Sequence, residues 1–201
     1  MHTQKKSCIL ATKNQGKIRE FKELFSDMGI DFLSLNDVEA PPEIVEDGKS
    51  FFENAFKKAK TISEHYGVMA ISDDSGLEVD ALDGRPGIYS ARFAGEGASD
   101  EENYLKLLQE LEGVEDEKRT ARFRCVMVAY RPDGKWIKAE GSLEGVITRE
   151  PRGTKGFGYD PVFLVPALGK TLAEIPMEEK NKISHRARAL HALRESIKEI
   201  L

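Results

Sequence analysis

Apolar residues in this chain fall in short blocks whose spacing switches between continuous runs and helical periodicity. Cys8-Ile9-Leu10-Ala11 has the length of a buried strand. A polar turn from Thr12 to Lys17 separates it from Ile18, Phe21, Leu24, Phe25 and Met28, which fall at helical spacing. Asn36 to Lys49 has no period, contains Pro41-Pro42, and predicts a surface loop. Ser50-Phe51-Phe52-Glu53 has the form of a capping box, and Phe51, Ala55, Ala59, Ile62 and Tyr66 give the helix behind it an apolar stripe. Val68 to Ile71 predicts a strand that ends on Ser72-Asp73-Asp74-Ser75-Gly76, after which a second strand-like run begins at Leu77. Burying Val68, Met69 and Ile71 would leave the two carboxylates at the rim of a sheet.

The second half repeats the alternation with more turns. Asp83 to Gly95 is rich in Gly and carries Pro86, Arg85 and Arg92, which predicts an ordered loop. Ser99-Asp100-Glu101-Glu102 is a second capping box, opening a helix with Tyr104, Leu107, Leu108 and Leu111 inward. Ala121 to Tyr130 and Trp136 to Thr148 predict an antiparallel pair around the turn Pro132-Asp133-Gly134-Lys135, and Val162 to Val165 predicts another short strand. Ser184 is a candidate N-cap for a closing helix with Ala187, Leu190, Leu193, Ile197 and Leu201 on one face. An antiparallel pair joined to alternating strands and helices predicts an α/β fold with a mixed sheet.

Composition narrows the class. The 201 residues suffice for one domain or two small lobes with a substantial core. Hydrophobic residues at 40% and charged residues at 32% are those of an ordinary globular protein. A net charge of −5 argues against nucleic-acid binding through bulk charge. Cys8 and Cys125 are the only cysteines, so no disulfide framework is implied. The first apolar run is too short for a signal peptide or a membrane span, and the chain reads as cytoplasmic.

Several stretches carry candidate chemistry, each beside a plainer reading. Adjacent carboxylates such as Asp73 and Asp74 repel unless a cation or proton intervenes, which suits a divalent metal facing phosphate; Asp, Ser and Gly are also ordinary turn residues. The strand-turn-helix at Thr12 to Lys17 suits phosphate, with donors from Thr12 and Asn14 and a charge from Lys17, although Asn14 is equally a helix cap. Glu46 lies just before a helix start, as a metal-site neighbour or a solvated loop acid. Lys57, Lys58 and Lys60 read as mostly solvated, Lys58 lying nearest the apolar stripe. In Gly156-Phe157-Gly158-Tyr159-Asp160-Pro161 the glycines permit close backbone approach and Phe157 offers a stacking face or a core aromatic. His185 and Arg186 fall in a first helical turn, where cations oppose the helix dipole, which favours a ligand-facing role. His2, His65 and His191 read as solvated or structural; no spacing suggests zinc, and no P-loop motif is present.

These pieces together resemble the non-standard purine nucleoside triphosphate pyrophosphatases, the inosine/xanthosine triphosphate (XTP/dITP) diphosphatase family. The likeness rests on Ala11-Thr12-Lys13-Asn14 with Lys17, Ser50 to Ala55 with Lys58-Ala59, Asp73 to Leu77, Pro86 to Arg92, Gly156 to Pro161 and Ser184-His185-Arg186. It implies a single two-lobed domain over 1–201, with a long mixed sheet flanked by helices, a deep active-site cleft, and a homodimer. It also implies hydrolysis of a nucleoside triphosphate to monophosphate and pyrophosphate with Mg²⁺. Carried over by position, Thr12, Lys13, Asn14, Gln15, Gly16, Lys17 and Lys58 would hold the triphosphate. Glu46 and Asp74, with Asp73 close by, would hold the metal, and Asp74 would take the proton of the attacking water. Ser75, Phe157, Gly158, Tyr159, Asp160, Lys180, His185 and Arg186 would hold the nucleotide. The family usually has glycine where this chain has Lys13; glycine there suggests close approach or unusual dihedrals, and lysine adds a charge.

Two other functions compete with that one: a nucleotide pyrophosphatase of different base preference, and a non-catalytic nucleotide-binding regulator. Retention of Asp73, Asp74 and Glu46 weighs against the regulator.

Overall fold

The computed structural model describes residues 6–201, and His2 lies outside them. The strands are β1 Lys6–Leu10, β2 Ile30–Ser34, β3 Met69–Val79, β4 Thr120–Tyr130, β5 Trp136–Ile147, β6 Phe163–Val165 and β7 Lys170–Thr171. They form one sheet in the order β2-β1-β3-β4-β5-β6-β7. β1 is parallel to β2 and to β3, while β6 is antiparallel to β5 and to β7, so the sheet is mixed as expected. The α-helices are α1 Gln15–Leu24, α2 Phe51–Tyr66, α3 Asp100–Glu110, α4 Met177–Ile183 and α5 His185–Ser196.

Local chemistry explains where the helices begin. Ser50 caps α2 by accepting the Glu53 N–H at 3.1 Å, but the Glu53 carboxylate takes the N–H of Lys49 rather than that of Ser50. The reciprocal half of the expected box is therefore displaced by one residue. At Ser99 the box is complete. The Ser184 hydroxyl accepts the Ala187 N–H at 3.1 Å, as expected of a cap for α5.

The chain divides into two compact units: residues 1–74, 126–140 and 189–201 form the first, and residues 75–125 and 141–188 the second. In the first, buried Ile9, Ile62 and Ala70 pack with Leu33, Leu35 and Tyr66. In the second, Leu77, Val79, Leu107, Phe123, Ile147 and Phe163 belong to one larger core. There buried Arg119 donates to the carbonyls of Leu111, Ile147 and Thr148, each at 2.8 Å. Burial lowers its pKa, with the Arg149 charge acting the same way.

One expectation is corrected. Asp73 and Asp74 neither end a strand nor make a turn: β3 runs unbroken through them, because buried Leu77 and Val79 continue its apolar pattern beyond the polar residues. Of β3, Met69 to Ile71 are the residues that pair with β1, so the two carboxylates still fall just past the carboxyl end of that parallel partner. In open α/β sheets that position is where ligands collect. No helix among the described residues is long and apolar enough to cross a membrane.

Candidate active site

Within the first unit, the turn after β1 is organised by its own side chains. Asn14 caps α1, its Oδ1 accepting the Lys17 N–H at 3.0 Å, and its own N–H donates to the Thr12 hydroxyl at 3.2 Å. Asn14 is thus a helix cap, and it shapes the turn where the positive end of α1 begins. Among the described residues, Ala40 and Asp83 are the non-glycine positions with positive φ. Lys13 therefore takes ordinary backbone angles, and conformational strain does not oppose a side chain there.

Adjacent residues of a strand face opposite ways, and the two carboxylates of β3 have different partners. Asp73 is buried and accepts from Lys17 Nζ at 2.9 Å. Asp74 accepts from the side-chain amide of Asn54, on α2, at 2.9 Å. Each carboxylate is stabilised separately, so their adjacency does not itself call for one shared cation. The loop before α2 carries two further pairs, Glu46 with Lys58 at 3.1 Å and Asp47 with Lys57 at 2.6 Å. The structure therefore brings Lys17 to Asp73 and Lys58 to Glu46, and Asn54 ties Asp74 to the loop through the Gly48 N–H.

Glu46 and Asp74 offer the oxygen donors that a hard divalent cation takes. Among the described residues no three His, Cys, Asp or Glu side chains form a ready-made cage. Mg²⁺ keeps several waters and needs only one or two carboxylates beside phosphate oxygens, which Glu46 and Asp74 can supply.

The second unit holds the other candidates. Gly156 has φ +80°, and a Cβ there would lie 2.0 Å from Asp160 Oδ2, so a side chain is excluded. That same oxygen accepts the Phe157 N–H at 2.9 Å and a bond from Lys180 Nζ. Asp160 and Lys180 are 3% and 7% exposed. Burial raises the Asp160 carboxyl above its ordinary range, opposed by the Lys180 ammonium and the Phe157 N–H. Phe157 is 70% exposed, with Lys180 Nζ 4.5 Å from its ring centre. The aromatic turned into the core is instead Tyr159, whose hydroxyl donates to the Ser90 carbonyl at 2.7 Å. Asp100, on α3, accepts the Gly158 N–H at 2.7 Å and pins the loop from outside. The His185 ring stacks on Phe123 at 5.0 Å between centres, and Arg186 follows it in the first turn of α5.

Two contributors were not anticipated. Asn54 had a legible signal, a polar residue on the buried stripe of α2. Asp100 had none, because an acid in the first turn of a capped helix is ordinary.

Comparison with known proteins identifies the family. The Ham1 family model matches residues 8–196. The chain is 57% identical over 188 residues to a dITP/XTP pyrophosphatase of Bacillus licheniformis, covering 94% of this chain and 96% of that one. It is 50% identical to the dITP/XTP pyrophosphatase of Bacillus subtilis, covering 94% and 95%. Among solved structures, a HAM1 protein from Coxiella burnetii superposes with a TM-score of 0.91 at 41% identity, covering 96% of this chain and 99% of that one. The Staphylococcus aureus Ham1 protein gives 0.91 at 40% identity, covering 98% and 100%. A match this complete in both sequence and fold places the chain in the Ham1 family.

Proposed function

We propose that this chain is an enzyme that hydrolyses non-standard purine nucleoside triphosphates (dITP, ITP and XTP) to the monophosphate and pyrophosphate, keeping them out of DNA and RNA. Water attacks the α-phosphorus, the bond to the bridging oxygen breaks, and pyrophosphate leaves. The observation that carries this reading is the position of Asp74, just past the carboxyl end of β1 and next along β3 to Asp73, which holds Lys17 of the phosphate-suited turn, in a chain whose relatives are pyrophosphatases.

Asp74 accepts the proton of the attacking water. A positioned carboxylate needs only modest basicity when cations stabilise the developing charge. Thr12 and Lys13 to Lys17, with Lys58, hold the triphosphate. Their lysines rest on Asp73 and Glu46, and phosphate oxygens compete for them as better-matched anions. Glu46 and Asp74, with Asp73 next in sequence, would hold Mg²⁺, which would supply charge neutralisation on the leaving pyrophosphate. Ser75, Phe157 to Asp160, Lys180, His185 and Arg186 hold the nucleoside, with Phe157 stacking on the base. Hypoxanthine and xanthine present a 6-keto acceptor where adenine presents an amino donor. Donors from His185 and Arg186 match the former and oppose the latter, a mismatch that discriminates strongly.

We further place the enzyme in the cytoplasm as a homodimer. The buried thiols of Cys8 and Cys125 suit a reducing compartment, and the family likeness supports the homodimer. Incubation with Mg²⁺ and a panel of triphosphates tests the assignment. Pyrophosphate should appear from ITP, dITP and XTP far faster than from ATP. Orthophosphate as the product, or ATP turned over equally fast, would overturn it.

A further inference from the structure

The loop before α2 is laced to that helix at four consecutive residues: Glu46 to Lys58, Asp47 to Lys57, the Gly48 N–H to Asn54, and the Lys49 N–H to Glu53. Three of these ties run along the loop and the helix surface. The fourth, through Asn54, is buried and continues onto β3. Asn54 is 2% exposed. Its Oδ1 accepts the Gly48 N–H at 2.8 Å, and its Nδ2 donates to Asp74 Oδ2 at 2.9 Å. A backbone N–H can only donate, so the amide oxygen must face Gly48 and the NH₂ must face Asp74. The loop thereby fixes the amide's orientation. Gly48 has to be glycine for this contact, because a Cβ would come within 2.6 Å of Asn54 Oδ1 and 2.8 Å of Glu53 Cβ.

We infer that Asn54 is a positioning residue for the hydrolysis, holding the Asp74 carboxylate and the Glu46–Gly48 loop in one fixed relation. The inference rests on the proposed role of Asp74. One side chain from a rigid helix sets both the rotamer of the carboxylate on β3 and the path of the loop that carries Glu46. Groups that orient a catalytic carboxylate from behind typically contribute 10–100-fold, about the range expected here.

Asn54→Asp separates this role from a merely structural one. It keeps an oxygen for the Gly48 N–H and the shape of the helix, but replaces the donor facing Asp74 with a second carboxylate. Positioning predicts that kcat on ITP falls roughly 10–100-fold while KM stays near the wild-type value, with the assay run well below the variant's melting temperature, which the buried carboxylate pair lowers. A wild-type kcat overturns the inference, and so does a loss of kcat that only tracks a smaller folded fraction at the assay temperature. A measurement on metal-free protein needs no Asn54 variant: the side-chain NH₂ resonances of Asn54 should move when Asp74 is replaced by Asn. Resonances that stay in place contradict the contact. Asp74→Asn also distinguishes the two possible failures. If that variant keeps full turnover, the role assigned to Asp74 falls. If it is inactive while Asn54→Asp turns over normally, only the role of Asn54 falls.

Discussion

Both units contain an Asp or Glu paired with a lysine, and burial separates the two cases. In the second unit Asp160 and Lys180 are almost wholly enclosed, and the same carboxylate oxygen also holds the Phe157 N–H. In the first unit Glu46 is 39% exposed where it meets Lys58, and Lys17 reaches Asp73 from a partly open position. A buried pair has lost its water and cannot release one partner cheaply. A wetter pair exchanges partners at little cost. The same chemistry therefore builds scaffold in one unit, shaping the loop that displays Phe157. In the other, the Glu46–Lys58 pair stays wet enough on its carboxylate side to exchange partners, as the proposed phosphate and cation roles require.

The sharpest break of this comparison is Asp74→Asn. Loss of the proposed base should lower kcat about 10²–10⁴-fold while ITP binding, measured by calorimetry, is largely retained. Unchanged turnover would remove Asp74 from its role. The next effect contrasts the two pairs directly. Asp160→Ala leaves Lys180 buried without its counter-charge and should cost about 3–5 kcal/mol in denaturant unfolding. Glu46→Ala should cost at most about 1 kcal/mol. Equal losses in the two variants would erase the distinction between scaffold and exchangeable pair.

What could be read along the chain was local. The caps at Ser50, Ser99 and Ser184 were legible because a hydroxyl and an N–H three residues on need no tertiary partner. β4 was legible from its apolar run Cys125 to Tyr130, and β5 from the turn that joins it to β4. β2 was not foreseen: it is a five-residue edge strand that includes the charged residue Asp31. β7 and α4 were too short to carry a period. The carboxylates drew attention in the sequence, but their separate partners did not, because strand alternation and the approach of α1 and α2 decide them. In the Gly156 loop the sequence offered two aromatics and two roles. Packing gave the core to Tyr159 and the open surface to Phe157.

The central proposal gives Lys58 to the triphosphate and His185 to the base. Its most direct test is the ratio of kcat/KM for ITP to that for ATP, measured in Lys58→Ala and His185→Ala. Lys58→Ala should slow both nucleotides alike and leave the ratio at its wild-type value. His185→Ala should reduce the ratio roughly tenfold, the worth of one hydrogen bond to the keto oxygen. A ratio that shifts in Lys58→Ala, or stays fixed in His185→Ala while both rates fall together, would contradict that division.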